Sequence, residues 1–423
     1  MGQRVLFIGL NYAPEHTGIA PYTSGMAHAL TAAGWDVGVV TGLPHYPQWQ
    51  VHAGYERGNR NRDIINGVPV ARVPHPVPRN AGLARRLGME IMFGLRAARA
   101  RWNNPDAVVV VSPALFASMI VRLRAKYHGI PVLAWVQDIY TAGLTETGSA
   151  GGFATRAMRA VEGRFLRSCE ATVVIHDRFA QYVQRELGVD PARVHTVRNW
   201  THIGPSTHVD TATLRERFGW PMEDIVVLHT GNMGAKQDLA NVVAAAARAD
   251  QSGAPVRFVL VGGGRQRPLL EELAAHAPRL EVLPSVDDET YSALLGAADV
   301  LLVHERPGVT EMCVPSKLTS YFTAGRPVLA AVEAHSPSAF EVASADAGMR
   351  VPPGDPQALV AGALTLHGEW VESGGTRHNG GARYVREVLS RDAATKAFIA
   401  ALNAVRASGH APTRTTTFAT PTN

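Results

Sequence analysis

The sequence predicts an α/β protein with two Rossmann-like domains, and three observations support this prediction. The chain has 423 residues, which is too long for one hydrophobic core and suits two domains with a tail. Short apolar segments alternate with helical ones through residues 1–200, and the same alternation restarts at residue 225. These segments are continuously apolar, as expected for parallel strands that are buried on both faces. The sequence therefore predicts two doubly wound α/β sheets, one in each half of the chain.

In the first half, a predicted helix at residues 22–33 ends at Gly34, a residue suited to the left-handed position after a helix. The predicted strands of this half cover residues 5–10, 37–41, 107–112, 131–137 and 172–175. In the second half, they cover residues 225–230, 256–261, 281–283, 300–304 and 328–331. Two such halves predict a ligand site in a cleft between them.

The run from Asn199 to Pro205 interrupts the alternation, so we place the domain boundary there. The predicted order is an N-terminal domain at residues 1–203, a C-terminal domain at 204–382 and a closing helix at 383–407. Residues 408–423, rich in Thr, Pro and Ala, are predicted to be a disordered tail.

Charge and cysteine content narrow the function classes. The net charge is +5, but residues 1–200 carry +9 and the remainder carries −4, which predicts an anionic partner for the first half. No nucleic-acid-binding signature is present, so we favour a membrane surface or a phosphorylated acceptor. With only Cys169 and Cys313, a disulfide framework or zinc site is not expected, and the cytoplasm is the predicted compartment. The N-terminus does not resemble a signal peptide, and no apolar run could span a bilayer.

Residues 314–328 read as a tight turn, a short helix, a glycine at position 325 and a buried strand. A turn that leads into a helix N-terminus presents free backbone N–H groups to an anion. Pro315, Ser316 and Lys317 stand at that turn, where the hydroxyl and the ammonium could add charge-assisted hydrogen bonds. The alternative is an ordinary loop, helix and strand.

Two further loops follow predicted strands of the second half. Residues 229–238 place Gly231, Asn232 and Lys236 before a helix, which suits a diphosphate clamp, although the spacing is not that of a Walker A motif. Residues 261–265 contain three consecutive glycines and then Arg265. We interpret this segment as a structural turn beside the ligand, with Arg265 as a further candidate contact.

In the first half, residues 9–19 follow the first strand, and Gly18 would let backbone approach a ligand closely. A dinucleotide fingerprint is missing from this loop, and the alternative interpretation is a plain connection between strand and helix. Asp138 ends a buried strand and is a candidate to orient an acceptor hydroxyl or to act as a base. The alternative is a helix-capping aspartate.

Residues 83–102 mix five arginines with apolar side chains at helical spacing. A basic amphipathic helix of this kind can lie on an anionic membrane. A core-facing helix with a solvated basic side explains the same pattern.

Taken together, these motifs resemble the family 4 glycosyltransferases of the GT-B fold, and in particular the WcaI/WbuB-like enzymes of bacterial exopolysaccharide and O-antigen assembly. The resemblance spans nearly the whole chain. It is found at residues 11–15, 46–50, 199–200, 231–237, 315–318 and 325–328. The most specific segments are Tyr-Pro-x-Trp at residues 46–49 and Gly-Asn-x-Gly-x-Lys-Gln at residues 231–237.

The resemblance implies retaining transfer of a sugar from a nucleoside-diphosphate sugar, with UDP favoured and GDP as the alternative, to an acceptor hydroxyl. It implies that the C-terminal domain binds the donor and the N-terminal domain binds a saccharide or lipid-linked acceptor. It also implies that no metal or other cofactor is required. Positive groups and backbone at Lys236, the Ser316/Lys317 turn and Gly18 would then stabilise the leaving diphosphate. Asp138 matches an acidic position beside the acceptor.

Two departures from the family pattern concern the donor site. The family's paired glutamates would fall near Met312 and Ser320, so Glu311 lies one place before the first. Ser320 stands where a glutamate holds the ribose hydroxyls, and a serine offers fewer hydrogen bonds there. Asn232 stands where the family has an arginine, which leaves Lys236 a larger share of the charge.

Three other functions fit the same pattern. A nucleotide-sugar epimerase would use the donor site without an acceptor, a tailoring enzyme would glycosylate a soluble natural product, and a sugar-nucleotide sensor would bind without turnover. The basic helix favours a transferase that works on the inner face of the membrane.

Overall fold

The computed structural model describes residues 3–16, 18–55, 62–78, 83–141, 152–200, 211–309 and 317–409. The chain divides into two compact units, one of Met1–Asn199 with Ala394–Asn423 and the other of Trp200–Ala393. Residues 201–210 of the predicted connection and residues 410–423 of the predicted tail lie outside the described residues. Both units are α/β, which confirms the predicted fold class.

The first unit contains one sheet with the strand order β3-β4-β2-β1-β5-β6-β7-β8. Only the β3–β4 pair is antiparallel, and the other neighbours are parallel. The strands are β1 Arg4–Gly9, β2 Asp36–Thr41, β3 Arg62–Ile65, β4 Val68–Arg72, β5 Ala107–Val111, β6 Val132–Val136, β7 Ala171–Val174 and β8 Val194–Thr196. The helices are α1 Ala20–Ala32, α2 Leu83–Arg99, α3 Leu115–Tyr127, α4 Gly152–Ser168 and α5 Asp177–Arg185.

The second unit contains a fully parallel sheet with the order β11-β10-β9-β12-β13-β14. Its strands are β9 Ile225–Asn232, β10 Val256–Gly263, β11 Leu280–Leu283, β12 Val300–His304, β13 Val328–Ala331 and β14 Gly348–Val351. Its helices are α6 Thr211–Phe218, α7 Ala240–Ser252, α8 Arg267–Ala274, α9 Asp288–Ala297, α10 Lys317–Ala324, α11 Pro337–Ser344, α12 Pro356–Glu372 and α13 Gly381–Glu387. The predicted helix and strand after residue 316 are therefore confirmed, with Gly325 in the left-handed region between them (φ +66°).

The end of the chain differs from the single predicted closing helix, because it forms two helices. Helix α13 packs on the second unit, where the Tyr384 ring meets the Phe322 ring edge-on at 5.9 Å. The last helix, α14 Arg391–Gly409, begins after Ser390, whose hydroxyl accepts a hydrogen bond from the Ala393 N–H at 3.1 Å. A serine at this position caps a new helix and so favours a break over a continuous one.

Helix α14 packs on the sheet of the first unit through one aromatic side chain. The ring of Phe398 stacks on Phe7 of β1 at 6.0 Å and meets Trp135 of β6 at 4.9 Å. All three side chains are fully buried. Burial of three aromatic rings contributes several kcal/mol to this contact, so residues from the end of the chain form part of the core of the first unit.

Helix α2 packs against α3 through a glycine. An added Cβ at Gly94 would lie 2.7 Å from the Ala117 Cα, which is too close for any side chain. The close approach of the two helix backbones therefore requires a glycine at this position. Met89 and Phe93 are buried on the same side of α2. The predicted helix is thus core-facing, and its basic side is exposed, with Arg85, Arg96 and Arg99 among the exposed residues.

In the part of the chain that the structure describes, no helix combines the length and the apolar character needed to cross a bilayer.

The glycine contact between α2 and α3 predicts a matched pair of variants. Gly94→Val is expected to destabilise the first unit by about 1–3 kcal/mol, because the new side chain must displace the Ala117 backbone. Gly88→Val, in the same helix with open space around its Cα, is expected to be nearly neutral. Calorimetric unfolding of the three proteins measures the difference. Equal effects of the two substitutions would show that close packing does not explain this glycine.

Candidate functional site

Each sheet has one point at which the strand order reverses, and ligands of doubly wound folds bind beside the carboxyl ends of the strands there. In the first unit, this point lies between β1 and β5, since β1 also neighbours β2. In the second unit, it lies between β9 and β12, since β9 also neighbours β10. Candidate ligand residues are therefore expected at these two strand ends.

Glycines shape the carboxyl ends of β9 and β10. Gly262 pairs with Gly231, and an added Cβ at Gly262 would lie 2.0 Å from the Gly231 carbonyl oxygen. An added Cβ at Gly264 would lie 2.6 Å from the carbonyl oxygen of Met233. Gly262 and Gly264 both have φ near +146°, a region that favours glycine. The glycine run thus serves as a structural turn that lets the loop after β9 lie against β10.

Lys317, the first residue of α10, reaches the end of β9. Its Cε and Nζ atoms lie 3.6 Å from the position of an added Cβ at Gly231, so the absence of a side chain there leaves room for the lysine. Its Nζ lies 3.1 Å from Nε2 of His229, which is fully buried. Burial lowers the pKa of Lys317 to about 7, and the Glu305 carboxylate opposes this shift.

The hydrogen bonds of His229 determine which ring nitrogen carries its proton. Nδ1 lies 3.1 Å from the carbonyl oxygen of Leu302, which can only accept, so Nδ1–H is the donor. Nε2 is then free to accept from the Lys317 ammonium. Burial, followed by the charge of Lys317, holds the pKa of His229 well below its usual value, so this histidine is neutral.

A second buried histidine fixes the loop that carries Lys236. Nδ1 of His304 donates to the Gln237 carbonyl oxygen at 2.6 Å, and its Nε2 accepts from the Asn241 side-chain amide at 2.8 Å. The Arg306 N–H donates to the Lys236 carbonyl oxygen at 2.8 Å. The loop after β9 is therefore tied to β12 and to the residues that follow it.

The arrangement around Lys317 suits an anion. Among the described residues, its ammonium has a neutral imidazole as hydrogen-bond partner and no carboxylate at ion-pair distance. The Glu305 carboxyl, whose pKa is raised by burial, accepts from the Ser338 hydroxyl at 2.6 Å. A poorly solvated cation at the end of a strand binds a phosphate oxygen more strongly than an exposed cation does.

The remaining donor-site candidates fall into two groups. Asn232, Lys236 and Arg265 are exposed, and the Asn232 side chain lies 3.4 Å from that of Gln237. Ser320 is buried in α10. Glu311, Pro315 and Ser316 lie outside the described residues. The structure therefore brings Gly231 and Lys317 into contact and places the loop of Asn232 and Lys236 beside them.

In the first unit, a cavity of about 230 Å³ lies where β1 and β5 end. Both predicted candidates of this unit, Gly18 and Asp138, line it. An added Cβ at Gly18 would lie 3.2 Å from the Tyr46 ring, and the residue has φ +66°, so glycine is required there. Asp138 is exposed, and its backbone N–H and carbonyl both bond the hydroxyl of Ser112.

A buried carboxylate organises the other wall of this cavity. Glu15 accepts hydrogen bonds from the backbone N–H groups of His45 and Tyr46, at 2.7 and 2.8 Å, and from the Asn11 amide at 2.9 Å. Its side chain is fully buried. The acidic residue of the 11–15 motif and the residues of the 46–50 motif are thus parts of one hydrogen-bonded structure.

Sequence reasoning missed several residues that line these sites, including His229, His304, Glu305 and Glu90. His229 lies within the apolar strand β9 and His304 ends the apolar strand β12, and a polar residue is unusual at such positions, which was the available signal. Glu90 lies on the buried side of α2 between Met89 and Phe93. Its neighbours in sequence are apolar, and a lone acid in an arginine-rich helix gave no indication of burial.

Comparison with known proteins identifies the class of this chain. Residues 17–200 match the Glycosyl transferase 4-like domain, and residues 224–369 match the Glycosyl transferases group 1 family. The chain is 31% identical over 417 residues to WcaI of Escherichia coli K12, a protein named for a glycosyl transferase of colanic acid biosynthesis, with 94% of this chain and 98% of WcaI covered. The chain belongs to the family 4 glycosyltransferases and is a glycosyltransferase.

Other relatives are more distant. A 2-deoxystreptamine glucosyltransferase of Streptomyces kanamyceticus is 24% identical, with 71% of this chain and 80% of that protein covered. Sucrose-phosphate synthase of Thermosynechococcus elongatus has a similar structure (TM-score 0.72, 18% identity, 96% of this chain and 100% of that chain). Anabaena Alr3699/HepE, solved in complex with UDP, is also similar (TM-score 0.69, 14% identity, 95% of this chain and 100% of that chain). These structures show the GT-B fold.

The low pKa of Lys317 predicts a dependence of stability on pH. Because the folded-state pKa is about 7 and the usual value is 10.5, the folded protein loses this proton first as the pH rises. The free energy of unfolding is therefore expected to increase with pH between these values, by up to about 1.4 kcal/mol per pH unit. Lys317→Met removes the cost of burying the ammonium, so the stability of the variant relative to wild type, measured by thermal unfolding, should be largest near pH 7 and should shrink as the pH rises to 10. Lys396→Met, at an exposed position, is the control. If the stabilities of wild type and Lys317→Met changed with pH in the same way, burial of the Lys317 ammonium would not destabilise the folded protein.

Proposed function

We propose that this protein is a retaining glycosyltransferase that moves a sugar from a nucleoside-diphosphate sugar to a hydroxyl of a lipid-linked saccharide in cell-surface polysaccharide assembly. The poorly solvated Lys317 ammonium against Gly231, at the strand-order reversal of the second unit, is the observation that carries the donor assignment. The name of the related WcaI protein supports the polysaccharide, and the UDP complex of HepE supports a UDP-sugar over a GDP-sugar.

In the proposed reaction, the bond between the anomeric carbon and the diphosphate breaks, and negative charge develops on the leaving phosphate oxygen. Lys317 lies in a pocket of low polarity, where its charge acts strongly on such an oxygen, while Lys236 adds a second, solvated cation. The two lysines would then stabilise the negative charge of the leaving diphosphate, as a divalent metal does in other sugar transferases, so no metal is required.

For retention of configuration, the acceptor hydroxyl attacks from the face that the diphosphate leaves. Its proton passes to the departing phosphate oxygen, and the new glycosidic bond takes the place of the old one. Asp138, exposed at the edge of the cavity in the first unit, would accept a hydrogen bond from the acceptor. Orientation of this hydroxyl is worth several kcal/mol of barrier without any covalent enzyme intermediate.

A second candidate function is glycosylation of a soluble natural product. The 2-deoxystreptamine glucosyltransferase among the relatives favours it, since the similarity covers most of both proteins. Under this alternative, donor chemistry is unchanged and the acceptor is not attached to a lipid. The exposed basic side of α2 instead supports an enzyme that binds the membrane and uses a lipid-linked acceptor.

The donor assignment predicts the behaviour of two lysine variants. Purified protein incubated with UDP- and GDP-sugars should give transfer or donor hydrolysis, and both Lys317→Met and Lys236→Ala should lower turnover roughly 10²-fold or more, as expected for loss of a group that stabilises developing charge. Product formation is measured by chromatography of the released nucleotide, with and without EDTA.

Lys396→Ala is the matched control, because this lysine is exposed on α14 in the other unit. Full turnover of Lys236→Ala would remove that residue from the proposed site. Loss of turnover on addition of EDTA, with recovery on addition of Mg²⁺, would refute the metal-free mechanism.

The membrane location rests on the exposed side of α2. Ile91, Met92 and Leu95 are each 37% exposed on this side, between the arginines at positions 85, 96 and 99. Apolar side chains flanked by arginines suit insertion between anionic lipid headgroups. We therefore place the enzyme at the cytoplasmic face of the membrane.

This location predicts binding to vesicles that contain phosphatidylglycerol and little binding to phosphatidylcholine vesicles. Replacement of Arg85 and Arg99 by glutamine should weaken co-sedimentation about fivefold per arginine, since each basic residue near an anionic surface contributes about 1 kcal/mol. Leu95→Ser should weaken it further. Leu269→Ser, at a 52% exposed position of the second unit, is the control. Binding that is insensitive to the α2 substitutions would place the membrane contact elsewhere.

A further inference from the structure

The cavity of the first unit contains a buried acid that the donor chemistry does not use. Glu90 is 3% exposed and lines the cavity. Its Oε2 accepts a hydrogen bond from the Phe116 N–H at 3.1 Å, and among the described residues its other oxygen has no hydrogen-bond partner. A carboxyl group that lines a cavity and uses one oxygen on the backbone leaves the other oxygen for a ligand.

An aromatic side chain lies on another wall of the same cavity. Trp49, the last residue of the Tyr-Pro-x-Trp motif, lines the cavity, and its ring contacts those of His45 and Tyr46 edge-on, at 5.8 and 6.4 Å. It has φ +54°, which is unusual for a bulky residue, so its neighbours hold it in place. An indole face and a carboxylate oxygen together match a sugar ring, which has C–H groups on one face and hydroxyl donors around its edge.

A cation completes the cavity. The guanidinium of Arg86 lies 5.6 Å from the Trp49 ring centroid, and Arg86 lines the cavity one turn of α2 before Glu90. Arg86 is exposed, while Glu90 is buried, so the positive charge stands at the opening and the carboxylate inside. Arginine forms paired hydrogen bonds with phosphate oxygens, which lysine does not.

The size of the cavity limits the ligand to a small group. Its volume of about 230 Å³ is below the roughly 300–1,000 Å³ of pockets for drug-sized ligands, so one sugar ring fits and an oligosaccharide does not. Gly18 and Asp138 border the same cavity. The exposed carboxyl group of Asp138 would therefore lie close to any sugar ring bound there.

We propose that this cavity binds a single sugar ring of the acceptor, and that this ring carries a phosphate ester. Glu90 accepts a hydrogen bond from a ring hydroxyl, the Trp49 indole packs on the C–H face, and Arg86 pairs with the phosphate. The proposal rests on the proposed function, because it names the chemical class of the acceptor for that reaction. The phosphate could belong to a lipid diphosphate or to a soluble sugar phosphate, and both present the same group to Arg86.

The test compares soluble probes for binding to the full-length protein. Hexose 1-phosphates and the parent hexoses are titrated by isothermal calorimetry or saturation-transfer NMR, with UDP and GDP titrated in parallel. The wild-type protein should bind the 1-phosphates about tenfold or more tightly than the parent hexoses, because one charge-assisted hydrogen-bonded pair contributes a difference of that size. Arg86→Gln should abolish this preference, and Arg85→Gln should keep it, because Arg85 neighbours Arg86 in α2 but does not line the cavity.

Two further variants test the sugar contacts. Glu90→Gln keeps the shape of the side chain and should weaken the binding of both the 1-phosphates and the parent sugars about tenfold. The affinity for UDP should be unchanged. Trp49→Phe should retain most of the affinity, while Trp49→Ala should lose it.

The results separate this proposal from the donor assignment. No preference for 1-phosphates in a wild-type protein that binds UDP would overturn the acceptor proposal alone, and failure to bind UDP and GDP would count against the proposed function instead. Equal effects of Arg86→Gln and Arg85→Gln would also overturn it. Comparison of a polyprenyl-diphosphate sugar with its water-soluble 1-phosphate analogue then distinguishes a lipid-linked acceptor from a soluble one.

Discussion

The strands at the centre of both sheets are buried on both faces, and this constraint governs the proposed donor site. A buried polar residue in such a strand has no water to bond, so its partners must come from the protein. His229 meets this requirement with the Leu302 carbonyl and the Lys317 ammonium, and His304 meets it with Gln237 and Asn241. The same hydrogen bonds that satisfy the two histidines therefore hold a cation and a loop in fixed positions.

The two lysines of the proposed donor site differ in solvation, and this difference would matter for chemistry on a diphosphate. Lys317 is poorly solvated, so its charge is costly in the free protein and would be stabilised by an anion. Lys236 is exposed, so solvent and salt would screen its charge. In this arrangement, the binding of a diphosphate and the protonation of Lys317 would favour each other near neutral pH. This relation does not depend on which base the nucleotide carries.

Helix α2 combines two roles because its sides meet different surroundings. Its buried side packs on α3 through Gly94 and carries Glu90 to the cavity of the first unit. Its opposite side exposes three arginines and three apolar side chains. The two interpretations that the sequence left open, a core-facing helix and a membrane-facing one, concern different sides of the same helix. The first is established by the packing, and the second remains a proposal.

The sequence by itself determined the class of fold, because continuous apolar strands and glycine-ended helices are local patterns that can be read from neighbouring residues. Gly231, Gly325 and Lys317 were predicted for the same reason: each stands at a strand or helix end that the pattern marks. The roles of His229 and Glu90 were decided only by the tertiary structure. Their partners, Lys317 and Phe116, are distant in sequence, at separations of 88 and 26 residues, and nothing in the local pattern indicates that such contacts form. Burial changes the chemistry of these groups, and burial is a property of the packed chain rather than of any short segment.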